Sequence, residues 1–250
     1  MDAVYFALVA AGMGALWWRH LRVHHQVTQQ PRALGTVFDA DAEVALHVAS
    51  HEARSRGEPM TSLHVLYGLL QDETIAAAVR EVGGDPSVLE DRALAAIDDK
   101  RADDEEDVHR VYGFAAGHAS HAGRRATAID LWAYLRGSIA TTVVDVPMLA
   151  KVLFRLCHGS EPDAHIVGNY DVHIVLRNDD YTTQQFVCHV LEDVFQLSDT
   201  DAGTRMMQTH EQGRAVIGRF RPDEARAKIE EVRTRARASG FPLWIGIEPI

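Results

Sequence analysis

The side chains best suited to chemistry lie in a short polar turn, RNDD at residues 177–180, and at His210 near the end of a later helix. Asn178 offers a carbonyl oxygen, and Asp179 and Asp180 offer carboxylates. A neutral His210 adds a ring nitrogen, so the set supplies hydrogen-bond acceptors. Each residue alone also has an ordinary structural explanation, because Asn and Asp favour turns and histidine is favourable near a helix C-terminus.

A strand, a turn and two helices position these side chains. The apolar run His173–Leu176 predicts a strand, and the polar turn follows it directly. Thr182 suits the N-cap of a helix, because a glutamine follows at capping-box spacing and apolar residues then recur at helical intervals. A second helix is predicted to begin after Ser198 or Thr200 and to end at Gly213.

Three stretches of this region resemble one known family. They read VLRNDDYTTQQFV, MMQTHEQGRAVIGRF and KIEEVRTRARASGFPLWIGIEP, in that order within residues 171–250. Together they look like ClpS, the family of small adaptors that recognise N-terminal degradation signals and pass them to Clp-type proteases. The resulting fold prediction for this part is a small α+β domain, with three helices on one face of a three-stranded antiparallel sheet.

The resemblance implies a ligand, namely a peptide with a bulky N-terminal residue and a free α-ammonium group. By family position the amine would be bound by Asn178, Asp180 and His210, with Asp179 as the alternative carboxylate. The first side chain would enter an apolar hole lined by Thr182, Gln184, Met206, Thr209 and Leu243. An ammonium–carboxylate bond is worth about 1.5–3 kcal/mol, and burial of a Leu or Phe side chain about as much.

Two of these pocket positions depart from the family pattern. Gln184 stands where ClpS proteins commonly carry methionine, and Thr209 stands where they often carry an apolar residue. An amide resists burial without partners, and a threonine adds a hydroxyl to the wall. We therefore expect weaker binding of aliphatic first residues than of Tyr or Trp, which bring a polar group of their own.

A possible partner surface follows from the same resemblance. Asp223 and Lys228 match the ClpS surface that meets the N-domain of a Clp ATPase, although an ordinary exposed helix face would explain both residues equally well.

Residues 38–158 are predicted to be helical and to contain an internal duplication. The segment TSLHVL at Thr61 matches TAIDLW at Thr127 at a fixed offset. The longer stretch ALHVASHEARSRGEPMTSLHVLYGLLQD resembles the first half of the N-terminal double repeat of Clp ATPases. The chain is thus predicted to be multi-domain, with an all-α Clp N-like repeat before the ClpS-like domain. The sequence leaves open whether this fused unit covers the ATPase-facing surface or builds a composite module.

Residues 3–18 carry no charged side chain and predict a membrane anchor. As a helix they would span roughly 24 Å at about 1.5 Å per residue, somewhat less than a hydrocarbon core. Arg19 and Arg22 follow, which places the rest of the chain on the cytoplasmic face of the inner membrane. The alternative is a buried helix.

The predicted domains are an anchor at 1–18, a linker at 19–37, the helical repeat at 38–158, a linker at 159–170 and the ClpS-like domain at 171–250.

Composition and motifs argue against several functions. The formal net charge of −11, without a basic stripe, argues against a nucleic-acid partner. Cys157 and Cys188 lie in apolar helical segments, which suggests buried reduced thiols rather than a disulfide or a nucleophile. The sequence contains no P-loop, GxSxG or complete HExxH motif, and we predict neither a metal site nor a cofactor.

The predicted function is a non-enzymatic adaptor in protein catabolism. It would bind N-terminal Leu, Phe, Tyr or Trp with a free amine and deliver those substrates to a Clp ATP-dependent protease. Its partners would be substrate proteins and the N-domain of a ClpA- or ClpC-like ATPase. The alternative is a scaffold or regulator in which the Clp N-like half binds or sequesters the ClpS-like half, without recognition of N-terminal residues.

Overall fold

The computed structural model describes residues 37–99, 105–162 and 171–249. The predicted membrane anchor and most of both predicted linkers lie outside these described residues. Within the described ranges, no helix is both long enough and apolar enough to cross a membrane.

The first two ranges form a helical half. Its α-helices are α1 (Ala40–Arg56), α2 (Ser62–Leu70), α3 (Glu73–Glu81), α4 (Pro86–Asp98), α5 (Glu105–His121), α6 (Ala128–Tyr134) and α7 (Val146–His158). Two 3-10 turns, Leu135–Gly137 and Ile139–Thr142, connect α6 to α7. Several helices begin at an aspartate whose carboxylate accepts a backbone N–H of the first turn, as at Asp39, Asp72 and Asp145. Their apolar faces meet in one core that includes the fully buried Trp132.

The two copies of the duplicated segment begin their helices in the same way. Thr61 precedes α2 and Thr127 precedes α6, and in both cases a side chain three residues further on returns to the cap. The amide of Thr61 donates to His64 Nδ1 at 3.2 Å, and the amide of Thr127 donates to Asp130 Oδ2 at 2.8 Å. The repeat offset therefore corresponds to two equivalent helix starts. The likeness of this half to a Clp N-terminal repeat stays a prediction.

The third range forms an α+β half. Its elements are β1 (Val172–Arg177), α8 (Gln184–Asp193), α9 (Asp199–Gln212), β2 (Arg214–Phe220), α10 (Pro222–Ala238) and β3 (Trp244–Pro249). The strand order is β2-β1-β3, and both pairings are antiparallel. The three-stranded antiparallel sheet and its three helices are therefore confirmed.

The central strand β1 is buried on both faces, which explains its unbroken apolar run. Ile174 and Leu176 pack against the three helices in the core of the α+β half. Val175 packs instead with Trp244 of β3 and Phe154 of α7. Because successive strand residues face opposite sides, the helical half covers the face that the three helices leave open. The two halves thus pack together through the sheet.

A buried carboxylate organises the contact between the halves. The side chain of Asp130 is 0% exposed, and Arg124 donates to it through two nitrogens at 2.5 and 2.9 Å. Thr127 adds its amide at 2.8 Å and its hydroxyl at 2.9 Å. Burial works to raise the pKa of Asp130, but the hydrogen bonds from Arg124 and Thr127 outweigh it and hold that pKa below its ordinary value.

The same carboxylate reaches across to the α+β half. The hydroxyl of Tyr181 donates to Asp130 Oδ1 at 3.1 Å, and burial raises the pKa of Tyr181, so the phenol keeps its proton. His118 Nδ1 lies 3.1 Å from the same oxygen, and its ring meets the Tyr181 ring edge-on at 5.0 Å. Nearby, Arg136 donates to the carbonyl of Gly240 at 3.1 Å and lies over the ring of Phe241.

The exposure of one cysteine, Cys157, differs from the sequence prediction. Both thiols are free, but Cys157 is exposed and Cys188 is half-buried. The prediction of a buried thiol is wrong for Cys157, because it lies in the last turn of α7, beyond the buried residues of that helix, which end at Phe154.

We expect Asp130→Asn to lower the free energy of unfolding, because Arg124 would lose its buried partner. The loss should fall toward the lower end of about 3–5 kcal/mol, since Arg124 is itself a third exposed. The pKa of Asp130 is lower in the folded protein than in the unfolded chain. The carboxylate therefore stabilises the fold at a pH above the ordinary carboxyl pKa, and this stabilisation is lost as the pH falls through the pKa of the folded protein. Denaturant titrations should therefore show the gap between wild type and variant narrowing below about pH 4.

Asp145→Asn is the matched control for this experiment. Asp145 is an exposed N-cap that accepts the amide of Met148 at 2.8 Å, and asparagine caps helices equally well. If Asp145→Asn lowered the free energy of unfolding as much as Asp130→Asn does, the effect could not be assigned to the buried carboxylate.

Candidate functional site

The polar turn after β1 is fixed from within by Asp179. Its Oδ1 accepts the backbone amides of Tyr181 at 2.8 Å and Thr182 at 2.6 Å, and its Oδ2 accepts the Thr182 hydroxyl at 2.7 Å. This arrangement is an aspartate-stabilised turn of the kind that short polar side chains favour. Asp179 is thus occupied in holding the turn, whereas the neighbouring Asp180 is exposed to solvent.

A backbone hydrogen bond joins this turn to the end of α9. Gly213 ends that helix with a left-handed conformation, φ 78°, which glycine adopts at little cost. Its carbonyl accepts the amide of Asn178 at 2.9 Å. Because His210 lies in the last turn of α9, this bond brings the histidine beside the polar turn.

The residues predicted for the amine and for the side-chain hole line one cavity of about 240 Å³. They are Asn178, Asp179, Asp180, Thr182, Gln184, Met206, Thr209, His210 and Leu243. Thr209 and Leu243 are buried, at 5% and 4% exposure, whereas Asp180, Gln184 and His210 are exposed. The cavity therefore has an apolar floor and a polar rim. The structure brings the predicted residues together, and their roles toward a ligand stay a prediction.

Two details of the predicted lining differ in the structure. The N-cap of α8 is Thr183 rather than Thr182, since the Thr183 hydroxyl accepts the amide of Phe186 at 3.3 Å. Thr182 is prevented from capping the helix because its hydroxyl is directed to Asp179. The hydroxyl of Thr209 donates to the carbonyl of Arg205 at 2.8 Å within α9, so it is already paired. The expected polar contribution of Thr209 to the wall is therefore reduced.

The cavity also contains residues that the sequence did not point to. Val187 of α8 adds to the apolar floor. Arg177 also lines the cavity, and its guanidinium lies 4.0 Å from the centre of the Trp244 ring. The remaining three come from the helical half: His118, His121 and Ala122. The sequence shows the two histidines one helical turn apart, a spacing that is typical of an ordinary polar helix face. Only the packing of the two halves places them at the cavity.

The residues predicted to face a Clp ATPase lie away from the contact between the halves. The side chain of Asp223 is 97% exposed. Lys228 Nζ donates to the carbonyl of Val194 at 2.7 Å and lies near the rings of Phe195 and Phe220, within the α+β half. Docking of the two halves therefore uses other residues.

The fold and the cavity define a class: a small α+β binding domain with a helical domain packed against its sheet. Among the described residues, no group of three or more His, Cys, Asp or Glu side chains could hold a metal ion.

Comparison with known proteins then gives the family. The family described as "ATP-dependent Clp protease adaptor protein ClpS" matches residues 169–246. The ClpS adapter of Desulfatibacillum aliphaticivorans is 43% identical over 76 residues, which is 30% of this chain and 73% of that protein. The ClpS adapter of Neisseria gonorrhoeae is 38% identical over 77 residues, 31% of this chain and 74% of that protein. The chain belongs to the ClpS family through its C-terminal domain.

A solved structure is also similar to this region. It is described as Agrobacterium tumefaciens ClpS2 bound to L-phenylalaninamide and is 35% identical. The match covers 33% of this chain and 100% of that one, with a TM-score of 0.32.

The two neighbouring aspartates should respond differently to substitution. Asp179→Ala removes the acceptor for three donors of the turn, so the amides of Tyr181 and Thr182 should exchange faster with solvent, by an amount equivalent to about 1–3 kcal/mol of local stability. Asp180→Ala is the matched control, because an exposed substitution usually changes stability by less than about 0.5 kcal/mol. Equal protection of these two amides in both variants, measured by hydrogen exchange, would refute the turn-holding role of Asp179.

Proposed function

We propose that this protein is a non-enzymatic adaptor that binds N-terminal degradation signals and delivers the proteins that carry them to a Clp ATP-dependent protease. The observation that carries the proposal is the cavity itself, which joins acceptors at the rim to an apolar floor. Membership in the ClpS family supports the adaptor role, since its members are described as adaptors of a Clp protease.

The chemistry of the rim suits an ammonium group. Asp180 is the carboxylate available to an amine, because both oxygens of Asp179 are bound within the turn. The Asn178 carbonyl and the His210 ring would complete the acceptor set. A charge-assisted bond from the ammonium to Asp180 would contribute about 1.5–3 kcal/mol, less what solvent exposure of the carboxylate removes.

The size of the cavity suits one large side chain. Its volume of about 240 Å³ lies below the roughly 300–1,000 Å³ of sites for drug-sized ligands. A Leu, Phe, Tyr or Trp side chain entering it would lie against Val187, Thr209 and Leu243, which are buried. Burial of such a side chain contributes about 1.5–3 kcal/mol.

Delivery requires a surface for the ATPase. We assign it to the first turns of α10, with Asp223 and Lys228, and the partner to the N-domain of a ClpA- or ClpC-like ATPase. Helix α7 of the helical half packs against α10, but the side chain of Asp223 in its first turn is 97% exposed and stays accessible while the halves are docked.

A second function competes with this one, because the two halves pack together beside the rim. The helical half contacts the rim turn at Tyr181, whose hydroxyl donates to Asp130 and whose ring meets that of His118 edge-on. In that case the chain would be a scaffold or regulator in which the helical half sequesters the ClpS domain. The two functions differ in whether the intact chain binds a free N-terminus.

A peptide titration tests the proposal directly. The full chain should bind a peptide that begins with Phe, and the N-acetylated form of the same peptide should bind at least tenfold more weakly, because one charge-assisted bond of about 1.4 kcal/mol or more is lost. Fluorescence anisotropy of labelled peptides gives both dissociation constants. A peptide of the same composition that begins with Ser serves as the control. Equal affinities for the free and acetylated peptides would favour the sequestered scaffold.

We also propose that residues 3–18 tether the adaptor to the cytoplasmic face of the inner membrane. The proposal rests on their uncharged apolar sequence and on Arg19 and Arg22 beyond it. The full chain should then sediment with membranes and resist alkaline extraction, whereas a shortened chain that begins at Leu34 should stay in the supernatant. Release of the full chain at alkaline pH would refute the tether.

A further inference from the structure

The cavity has walls from both halves of the chain. His118 and His121 of α5, together with Ala122 directly after it, line the same space as the polar turn and α9. We call these three residues the α5 end. Its position is fixed, since His118 is held by the buried Asp130 at 3.1 Å and lies edge-on against Tyr181 at 5.0 Å.

The residues of the cavity lining range from buried to exposed, with His118, Asn178, Asp179, Thr182 and Met206 half-buried between the two extremes. The buried residues Val187, Thr209 and Leu243 form the floor, where a first side chain would be placed. The exposed residues form the rim. Asp180 and His210, the candidate partners of the amine, occupy part of that rim. The remaining exposed residues of the lining are Arg177, Gln184, His121 and Ala122.

We propose that the α5 end is a binding wall for the second residue of the peptide and that it favours an acidic side chain there. The inference rests on the proposed function and names part of its substrate class. The wall presents the exposed imidazole of His121 and the half-buried imidazole of His118, whose Nδ1 lies 3.1 Å from Asp130, and Arg177 lines the same cavity. These groups donate hydrogen bonds to a carboxylate. Three carboxylates of the protein lie close to these groups. Asp179 is bound within its own turn, Asp180 is the candidate partner of the amine, and Asp130 already accepts from its own buried cluster.

A steric variant tests whether the α5 end lies against the ligand. Ala122 is exposed, so Ala122→Trp enlarges the wall without entering the core. We expect it to weaken the binding of a Phe-initiated peptide by at least tenfold. The matched control is Ser120→Trp, which places the same indole on an exposed position of the same helix turn that lies outside the cavity lining. The dissociation constant of the Phe-initiated peptide for this control should stay within about twofold of the wild-type value.

A peptide series tests the second-residue preference. Three peptides that differ only at the second position, Phe-Asp, Phe-Ala and Phe-Lys, are titrated against the full chain. The wild type should bind Phe-Asp at least threefold more tightly than Phe-Lys. His121→Ala should weaken Phe-Asp binding at least threefold and leave Phe-Ala within twofold, a change of ranking that a purely structural role would not produce. His109→Ala, on the exposed part of the same helix, is the control.

The outcomes separate this inference from the function on which it rests. Absence of amine-dependent binding to the wild type would overturn the proposed function and the inference with it. Amine-dependent binding that is the same in wild type, Ala122→Trp and His121→Ala would overturn the inference alone. Loss of affinity in Ala122→Trp without any change of ranking in His121→Ala would keep the wall but overturn the acidic preference.

Discussion

One hydroxyl and one carboxylate form the buried polar contact between the two halves of this protein. Tyr181 of the ClpS domain donates to Asp130 of the helical half, and Asp130 is buried with Arg124 and Thr127 around it. Burial of a charge lowers the free energy of unfolding unless hydrogen bonds satisfy the charged group. In this cluster Arg124 and Thr127 donate from the helical half, and Tyr181 donates from the opposite half. Separation of the halves would expose the carboxylate to water but would also remove that donor.

This contact has consequences for the cavity because Tyr181 lies inside the polar turn. Its neighbours in the chain, Asp180 and Thr182, line the cavity, while its own side chain is directed toward Asp130. The turn is therefore held twice: Asp179 fixes it from within, and Asp130 fixes it from the helical half. Rims that are held by several independent bonds keep their geometry before a ligand arrives, which lowers the entropic cost of binding.

Local features of this protein could be read from its sequence. The strand, the turn and the helix ends follow from apolar periodicity and from residues such as Ser198 and Gly213, which act at the positions predicted for them. The resemblance to ClpS predicts a set of lining residues, and the structure places these residues around one cavity. Even here a one-residue difference arose at Thr183, because the hydroxyl of Thr182 has a closer acceptor in Asp179.

Long-range contacts could not be predicted in this way. His118 and His121 have an ordinary helical spacing, and nothing in that spacing shows that the polar turn and α9 line a cavity together with them. Likewise, the apolar run of β1 indicates burial but does not show that Phe154 of α7 covers its second face. Such contacts depend on the relative placement of two folded units, which local propensity and periodicity do not encode.

The same placement bears on whether the helical half blocks the cavity or completes it. The halves are joined at Asp130, at Gly240, on the outer face of the sheet and between α7 and α10, and a space of about 240 Å³ remains between the polar turn and α5. A ligand that touches both halves would bind the docked arrangement better than the separated one. Because such coupling is reciprocal, the ligand would then strengthen docking by the same factor by which docking strengthens its binding. Docking and peptide binding would therefore support each other, whereas sequestration requires that they compete.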